Sequence, residues 1–132
     1  MPTAISYPGM SASDRPMGSA PLSAALLCGP ILFISGQVAI DPASGSVAVD
    51  DMATQTRQVL SNMKSLVENA GMTMRDIGKV GIYLTRLEDF DAMNSVYAEF
   101  FEAPYPARAT VGIALNDPRL LVEMDAIAFR AV

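Results

Sequence analysis

The sequence predicts an α+β fold: a two-layer sandwich in which a mixed β-sheet carries two helices on one face. Three observations lead there. Two segments, near 51–70 and 89–102, place apolar residues at helical spacing. Several others alternate with a period of two, or form short apolar runs bounded by turn residues. Two helices are too few to cover both faces of such a sheet, so both belong to one layer.

In chain order, the apolar runs Leu22 to Cys28 and Ile31 to Ser35 are broken by Gly29-Pro30, which predicts a β-hairpin. Asp41-Pro42-Ala43-Ser44-Gly45 predicts a turn, and residues 46–49 a short edge strand. The first helix spans about Asp51 to Ala70, because Met52, Thr56, Val59, Met63, Leu66 and Ala70 recur at spacings of four and three. Asp50 or Asp51 can cap it, and Gly71 stops it. Gly78 to Thr85 alternates as a strand, with Val80, Ile82 and Leu84 on one side. The second helix spans about Asp89 to Glu102, burying Phe90, Met93, Val96, Tyr97, Phe100 and Phe101, and Pro104 limits it. Residues 108–115 and 121–128 alternate again around the turn-rich Asn116-Asp117-Pro118. Helices set between strands imply βαβ crossovers and hence a mixed sheet. The uncovered sheet face, part polar and part apolar, suits packing of subunits into a closed homo-oligomer.

The chain has 132 residues, 51% of them hydrophobic and 17% charged, which predicts a single globular domain over 21–132. Residues 1–20 are rich in Pro, Gly and Ser and are expected to form a flexible arm. They show no basic stretch followed by an apolar one, so they do not resemble a secretory signal. No apolar run approaches the ~18 residues of a membrane-spanning helix, and the expected location is the cytoplasm. The net charge is −5, with lysines only at 64 and 79 and seven scattered arginines. No basic stripe marks a nucleic-acid partner.

The chemistry available is narrow. With no histidine and one cysteine, the chain cannot build Ser-His-Asp or Cys-His catalysis or a Cys/His metal site. Cys28 reads as a small apolar residue in or beside a strand. Two charged residues stand out near the C-terminus. Arg108 opens a strand just after Pro104 and Pro106, and Glu123 sits among apolar neighbours. A guanidinium can grip a planar carboxylate with two parallel hydrogen bonds, and a glutamate can move a proton. The alternatives are a surface arginine at a strand end and a carboxylate on the wet face of a strand, as for Asp125. If the last two strands form a hairpin centred near Pro118, Glu123 lies opposite Ile113 and Arg108 opposite Ala128. The two charges are then roughly 17 Å apart at about 3.3 Å per residue, and a complete site needs two chains.

Six fragments, taken in order, resemble the RidA/YjgF family, also called Rid or L-PSP endoribonuclease-like. They are Ile34-Ser35-Gly36-Gln37, Asp41 to Gly45, Thr54 to Leu60, Asp89-Phe90 with Met93 to Tyr97, Pro106 to Val111, and Val122 to Ile127. The resemblance covers nearly everything from Pro21 to Phe129. It implies a chorismate-mutase-like subunit and a homotrimer with ligand sites between subunits. It also implies hydrolysis of imines and enamines, such as 2-aminoacrylate and 2-iminopropanoate, to 2-oxo acids and ammonia, with no metal or organic cofactor. The family's carboxylate-binding arginine falls on Arg108 and its water-orienting glutamate on Glu123. Other pocket positions fall on Ser35, Gly36, Asn94 and Thr110.

One departure stands out. The family's glycine-proline-tyrosine motif is Ala20-Pro21-Leu22 here, so Leu22 replaces a hydroxyl. Tyr105, in the Pro104-Tyr105-Pro106 turn, is the candidate to supply one instead. The expected activity is deamination of small 2-imino acids. The alternatives are a non-catalytic, carboxylate-binding regulatory trimer and a secondary-metabolism variant with a larger substrate. The endoribonuclease of the family's older name fits least, given the acidic charge and absent histidine.

Overall fold

The computed structural model describes residues 1–10 and 20–131. Its strands are β1 (Thr3–Ile5), β2 (Ala25–Cys28), β3 (Ile31–Val38), β4 (Ile77–Leu84), β5 (Ala107–Gly112) and β6 (Val122–Phe129). Helix α1 (Met52–Asn69) lies between β3 and β4, and α2 (Phe90–Phe100) between β4 and β5. The strands form one sheet in the order β1-β2-β3-β6-β4-β5. Among the described strands only β4 and β5 pair in parallel, as a helical crossover allows. The expected α+β architecture with a mixed sheet and two helices is what the chain adopts.

Local sequence explains the main elements. Gly29 takes φ 60° at the first position of the two-residue β2–β3 turn, and Pro30 follows, the pattern of a type II′ hairpin. Asp51 caps α1 by accepting from the Thr54 N–H at 2.8 Å. The helix closes with Gly71 at φ 80°, its N–H donating to Glu68 and that of Met72 to Val67. That bond pair is a Schellman cap. The buried face of α1 is wider than the expected stripe, because Gln55, Leu60, Asn62 and Val67 are buried too. Gln55 is fully enclosed. Its amide donates to the Arg119 carbonyl at 2.8 Å and accepts from the Leu121 N–H at 2.8 Å, fastening the chain ahead of β6.

Both helices share one face of the sheet. Val80, Ile82 and Leu84 of β4 and Val122, Met124, Ala126 and Ala128 of β6 are buried with Leu60, Met63, Leu66, Met93 and Val96 of the helices. The opposite face leaves Phe33, Val111, Ile127 and Phe129 exposed.

Four expectations are corrected. Thr3–Ile5, expected within a flexible arm, pairs antiparallel with β2, and the Ser6 carbonyl accepts from Asn69 Nδ2 at 2.6 Å. Pro, Gly and Ser content outweighed the short Thr3-Ala4-Ile5 run; residues 11–19 of that segment lie outside the described residues. Residues 46–49 make only one bridge, Ile40 to Val47, in place of an edge strand. Phe90, expected in the core, is partly exposed at the start of α2. The last two strands do not form a hairpin. β6 inserts between β3 and β4, and β5 is left at the edge beside β4. The reason is burial: the apolar row of β6 is covered only at the centre of the sheet, beneath α1.

Candidate active site

The structure gathers the sequence-predicted residues into two groups. The first forms around an irregularity in β3. Ile34 pairs with Ala126 and Gln37 with Met124, so β3 takes one more residue than β6 between those pairs. This β-bulge holds Ser35 and Gly36. Ser35 is fixed from both ends, its N–H donating to the Ala24 carbonyl at 2.9 Å and its Oγ to the Ser23 carbonyl at 2.6 Å. Gly36 is the floor on which Glu123 rests. A β-carbon there would overlap a carboxylate oxygen and lie 2.8 Å from Cδ of Glu123.

Ser35, Gly36, Leu22 and Glu123 line one cleft of about 200 Å³, together with Tyr7, Gln37 and Asn116. Burial pushes the half-buried Glu123 carboxyl above its ordinary value, and the negative charge of Asp125 adds to the rise. Asp125 itself accepts from the Tyr83 hydroxyl at 2.9 Å.

The second group sits at β5 and α2. Arg108 donates through Nη2 to Asn94 Oδ1 at 2.6 Å. Its guanidinium carbon stands 4.8 Å from the Tyr97 ring centroid and 5.7 Å from that of Phe90. Aromatic faces and an amide oxygen hold the charge without neutralising it. Among the described residues Arg108 has no carboxylate partner, whereas Arg57, Arg75, Arg86 and Arg119 each have at least one. Thr110 is two residues along β5 and shares the side of Arg108. The buried Tyr97 hydroxyl beside it has no hydrogen-bond partner among the described residues.

The two groups are not brought together within the chain. Arg108 is in register with Val80 of β4, which pairs with Ala126 of β6, so it takes the helix-covered face. Glu123 pairs with Tyr83 and takes the open face. The expected separation along a β5–β6 hairpin is therefore replaced by a different one. The residues are offset by three positions and two strands, about 10 Å in each direction, on opposite sides of the sheet.

Tyr105 is 61% exposed and does not line the cleft beside Leu22. Tyr7 lines the cleft instead, with its hydroxyl donating to Gln37 Oε1. Sequence reasoning missed Tyr7 because nothing local marks it; only β1 pairing carries it there. The helical spacing of Tyr97 predicts a core residue, and it is both core and platform for Arg108. Among the described residues no group of three His, Cys, Asp or Glu side chains is placed to hold a metal ion.

Known proteins resemble this chain over most of its length. A RutC family protein of Pyrococcus horikoshii is 43% identical over 118 residues, spanning 89% of this chain and 92% of the relative. The 2-iminobutanoate/2-iminopropanoate deaminase of Salmonella typhimurium is 35% identical over 124 residues, spanning 92% and 96%. The crystal structure of E. coli TdcF with bound serine superposes with a TM-score of 0.79 at 35% identity, over 84% of this chain and 89% of that one. The family model described as endoribonuclease L-PSP matches residues 12–130. With that span matched, the chain belongs to the endoribonuclease L-PSP family, the Rid/YjgF proteins.

Proposed function

We propose that the protein hydrolyses small 2-imino acids, the tautomers of 2-aminoacrylate-type enamines, to 2-oxo acids and ammonia, at sites shared between subunits. The observation that carries this reading is Arg108: a half-buried guanidinium held by Asn94 and Tyr97, with no carboxylate partner among the described residues. Such a group suits a carboxylate brought by a ligand. Relatives named as imine deaminases support the reaction class.

The chemistry follows from the two groups. Arg108 binds the substrate carboxylate. Glu123 accepts a proton from water as the oxygen attacks the C=N carbon and passes it to the nitrogen, giving a tetrahedral amino alcohol. Proton transfer to nitrogen then lets the C–N bond break, and the carbonyl forms as ammonia leaves. A carboxylate with a raised pKa is a stronger base than an ordinary one, which favours the first step near neutral pH. Imines already hydrolyse in water, so positioning and acid–base help of roughly 10²–10⁴-fold are enough.

Because the two charges face opposite sides of the sheet, one chain cannot close the site. The exposed Phe33, Val111 and Ile127 on the open face suit subunit packing, and a homotrimer is the assembly proposed. Ammonia and 2-oxo acid released from enzymatically generated 2-iminopropanoate test the reading. Wild type should be faster than Arg108→Ala, and equal rates would remove small imino acids as substrates.

A second reading, a regulatory trimer that binds carboxylates without turnover, is favoured by Leu22, which puts no hydroxyl in the cleft. Thermal stabilisation by 2-oxo acids, with no turnover of any imine in a broad panel, would select it.

A further inference from the structure

The cleft that holds Glu123 receives no hydroxyl from position 22, yet it contains a phenol. Tyr7 reaches it from the N-terminal segment, which is tied down on both sides. Ile5 pairs with Ala25, the Ser6 carbonyl accepts from Asn69 Nδ2, and the Tyr7 carbonyl accepts from the Met10 N–H at 3.0 Å. Tyr7 is only 7% exposed, and Leu22, which lines the same cleft, is 45% exposed.

The direction of one hydrogen bond decides what Tyr7 can offer. Gln37 Nε2 donates to the Ser35 carbonyl at 3.0 Å, which turns the amide oxygen toward Tyr7. A flipped amide would set its oxygen against that carbonyl, so the orientation is fixed by the network. The phenol has one hydrogen, and Gln37 Oε1 takes it. What Tyr7 has left is lone pairs, an acceptor aimed by its partner. Burial pushes the phenol up to about 12, against the bond to Gln37, so it stays neutral at working pH.

Ser35 Oγ, its hydrogen given to the Ser23 carbonyl, and the Asn116 amide also offer neutral acceptors in the cleft, whereas Asn62 and Glu123 do not suit. Asn62 gives its amide hydrogens to the Val38 and Ile40 carbonyls, at 3.1 and 2.9 Å, and takes one from Gln58 at 2.8 Å. Glu123 is a strong acceptor, but its charge repels a substrate that is itself a carboxylate. A neutral acceptor satisfies an imine N–H without that repulsion.

We infer that Tyr7 is a substrate-binding residue of this cleft, an oriented neutral acceptor for the N–H of the bound imine. The inference rests on the deaminase reading, and it supplies the contact that Leu22 cannot make. It also predicts a discrimination. Ligands with an N–H beside the carboxylate use Tyr7, and 2-oxo acids do not.

Oxamate and pyruvate form the matched probe pair: turned by half a turn about its C–C bond, oxamate sets its NH₂ where the imine carries its N–H, and pyruvate has no N–H to offer. Binding of each to wild type and Tyr7→Phe is measured by calorimetry on the intact oligomer, alongside kcat/KM for 2-iminopropanoate. The expected result is about a tenfold loss of oxamate affinity, the scale of one hydrogen bond, with pyruvate affinity unchanged. A similar loss in kcat/KM should accompany it. Equal losses for both ligands would make Tyr7 merely structural, and no loss would remove it from the site; either overturns the inference. If wild type binds both probes but hydrolyses no imine, the deaminase reading fails while the probe pair still decides Tyr7. If wild type binds neither probe, Tyr7 has no ligand to serve and both readings fall.

Discussion

Arg108 and Glu123 lie on opposite faces of one sheet, offset by two strands and three residues, so no small molecule touches both within one chain. Register alone sets this relationship. Arg108 joins the buried row through Val80 and Ala126, and Glu123 joins the open row through Tyr83. In the proposed reading, a chain built this way presents half of a site on each side. Arg108 is held against α2 by Asn94, and the cleft that contains Glu123 opens beside the β3 bulge.

The grip depends on shape as well as charge. Arg108→Lys keeps the positive charge but loses the planar fork and the stacking on Tyr97. It should raise KM for 2-iminopropanoate about tenfold or more, with Arg108→Ala worse, the scale of a charge-assisted hydrogen bond. Steady-state kinetics on both variants checks it. A Lys variant equal to wild type would contradict bidentate binding.

Gly36→Ala places a methyl group where the Glu123 carboxylate rests. The obstructed atoms end a flexible side chain, so the carboxylate swings aside and the fold survives. Turnover should fall about 10²-fold from misplacement of the base, with little change in Tm. A large loss of Tm with turnover intact would show that the glycine serves the bulge alone.

The acid limb of the pH profile reports Glu123. Burial, then Asp125, raises its pKa, so the catalytic carboxylate is lost as pH falls through a value above the ordinary glutamate range. Asp125→Asn removes the second cause, lowers that pKa and should shift the acid limb of kcat/KM to lower pH. The asparagine oxygen still accepts from Tyr83, which keeps the geometry. A shift to higher pH, or none, would contradict the assignment of that limb.

Gln55 holds the entry to β6 through the Arg119 carbonyl and the Leu121 N–H. Gln55→Ala leaves the buried Leu121 N–H without a partner and releases the part-buried Arg119 carbonyl, and should cost about 1–3 kcal/mol. Denaturant unfolding measures it; a loss under about 0.5 kcal/mol would mean that water replaces the amide.

Much of this was legible in the sequence. Helical spacing located α1 and α2, Gly29-Pro30 marked the hairpin, and alternation placed Arg108 and Glu123 on strands. Pairing order was not legible, because alternation fixes a strand's two faces but not its neighbours. Asn116-Asp117-Pro118 looked like a hairpin turn, and the chain instead carries β6 past β4 to the centre of the sheet. Tyr7 was hidden for a related reason: a three-residue strand has too little pattern to stand out in a Pro- and Gly-rich segment. Gln55 and Asn62 escaped because a polar residue on a helix reads as solvent-facing until its buried partners are known.

The most direct test of a shared site is complementation. Arg108→Ala and Glu123→Gln oligomers are prepared separately, dissociated, mixed in equal amounts and reassembled. Each variant alone should be nearly inactive toward 2-iminopropanoate. In a closed ring, random assortment gives about a quarter of the interfaces one intact Arg108 and one intact Glu123 from different chains. The account predicts recovery of about that fraction of wild-type activity. Mixed oligomers that form, as native mass spectrometry would register, yet stay as inactive as their parents would contradict it.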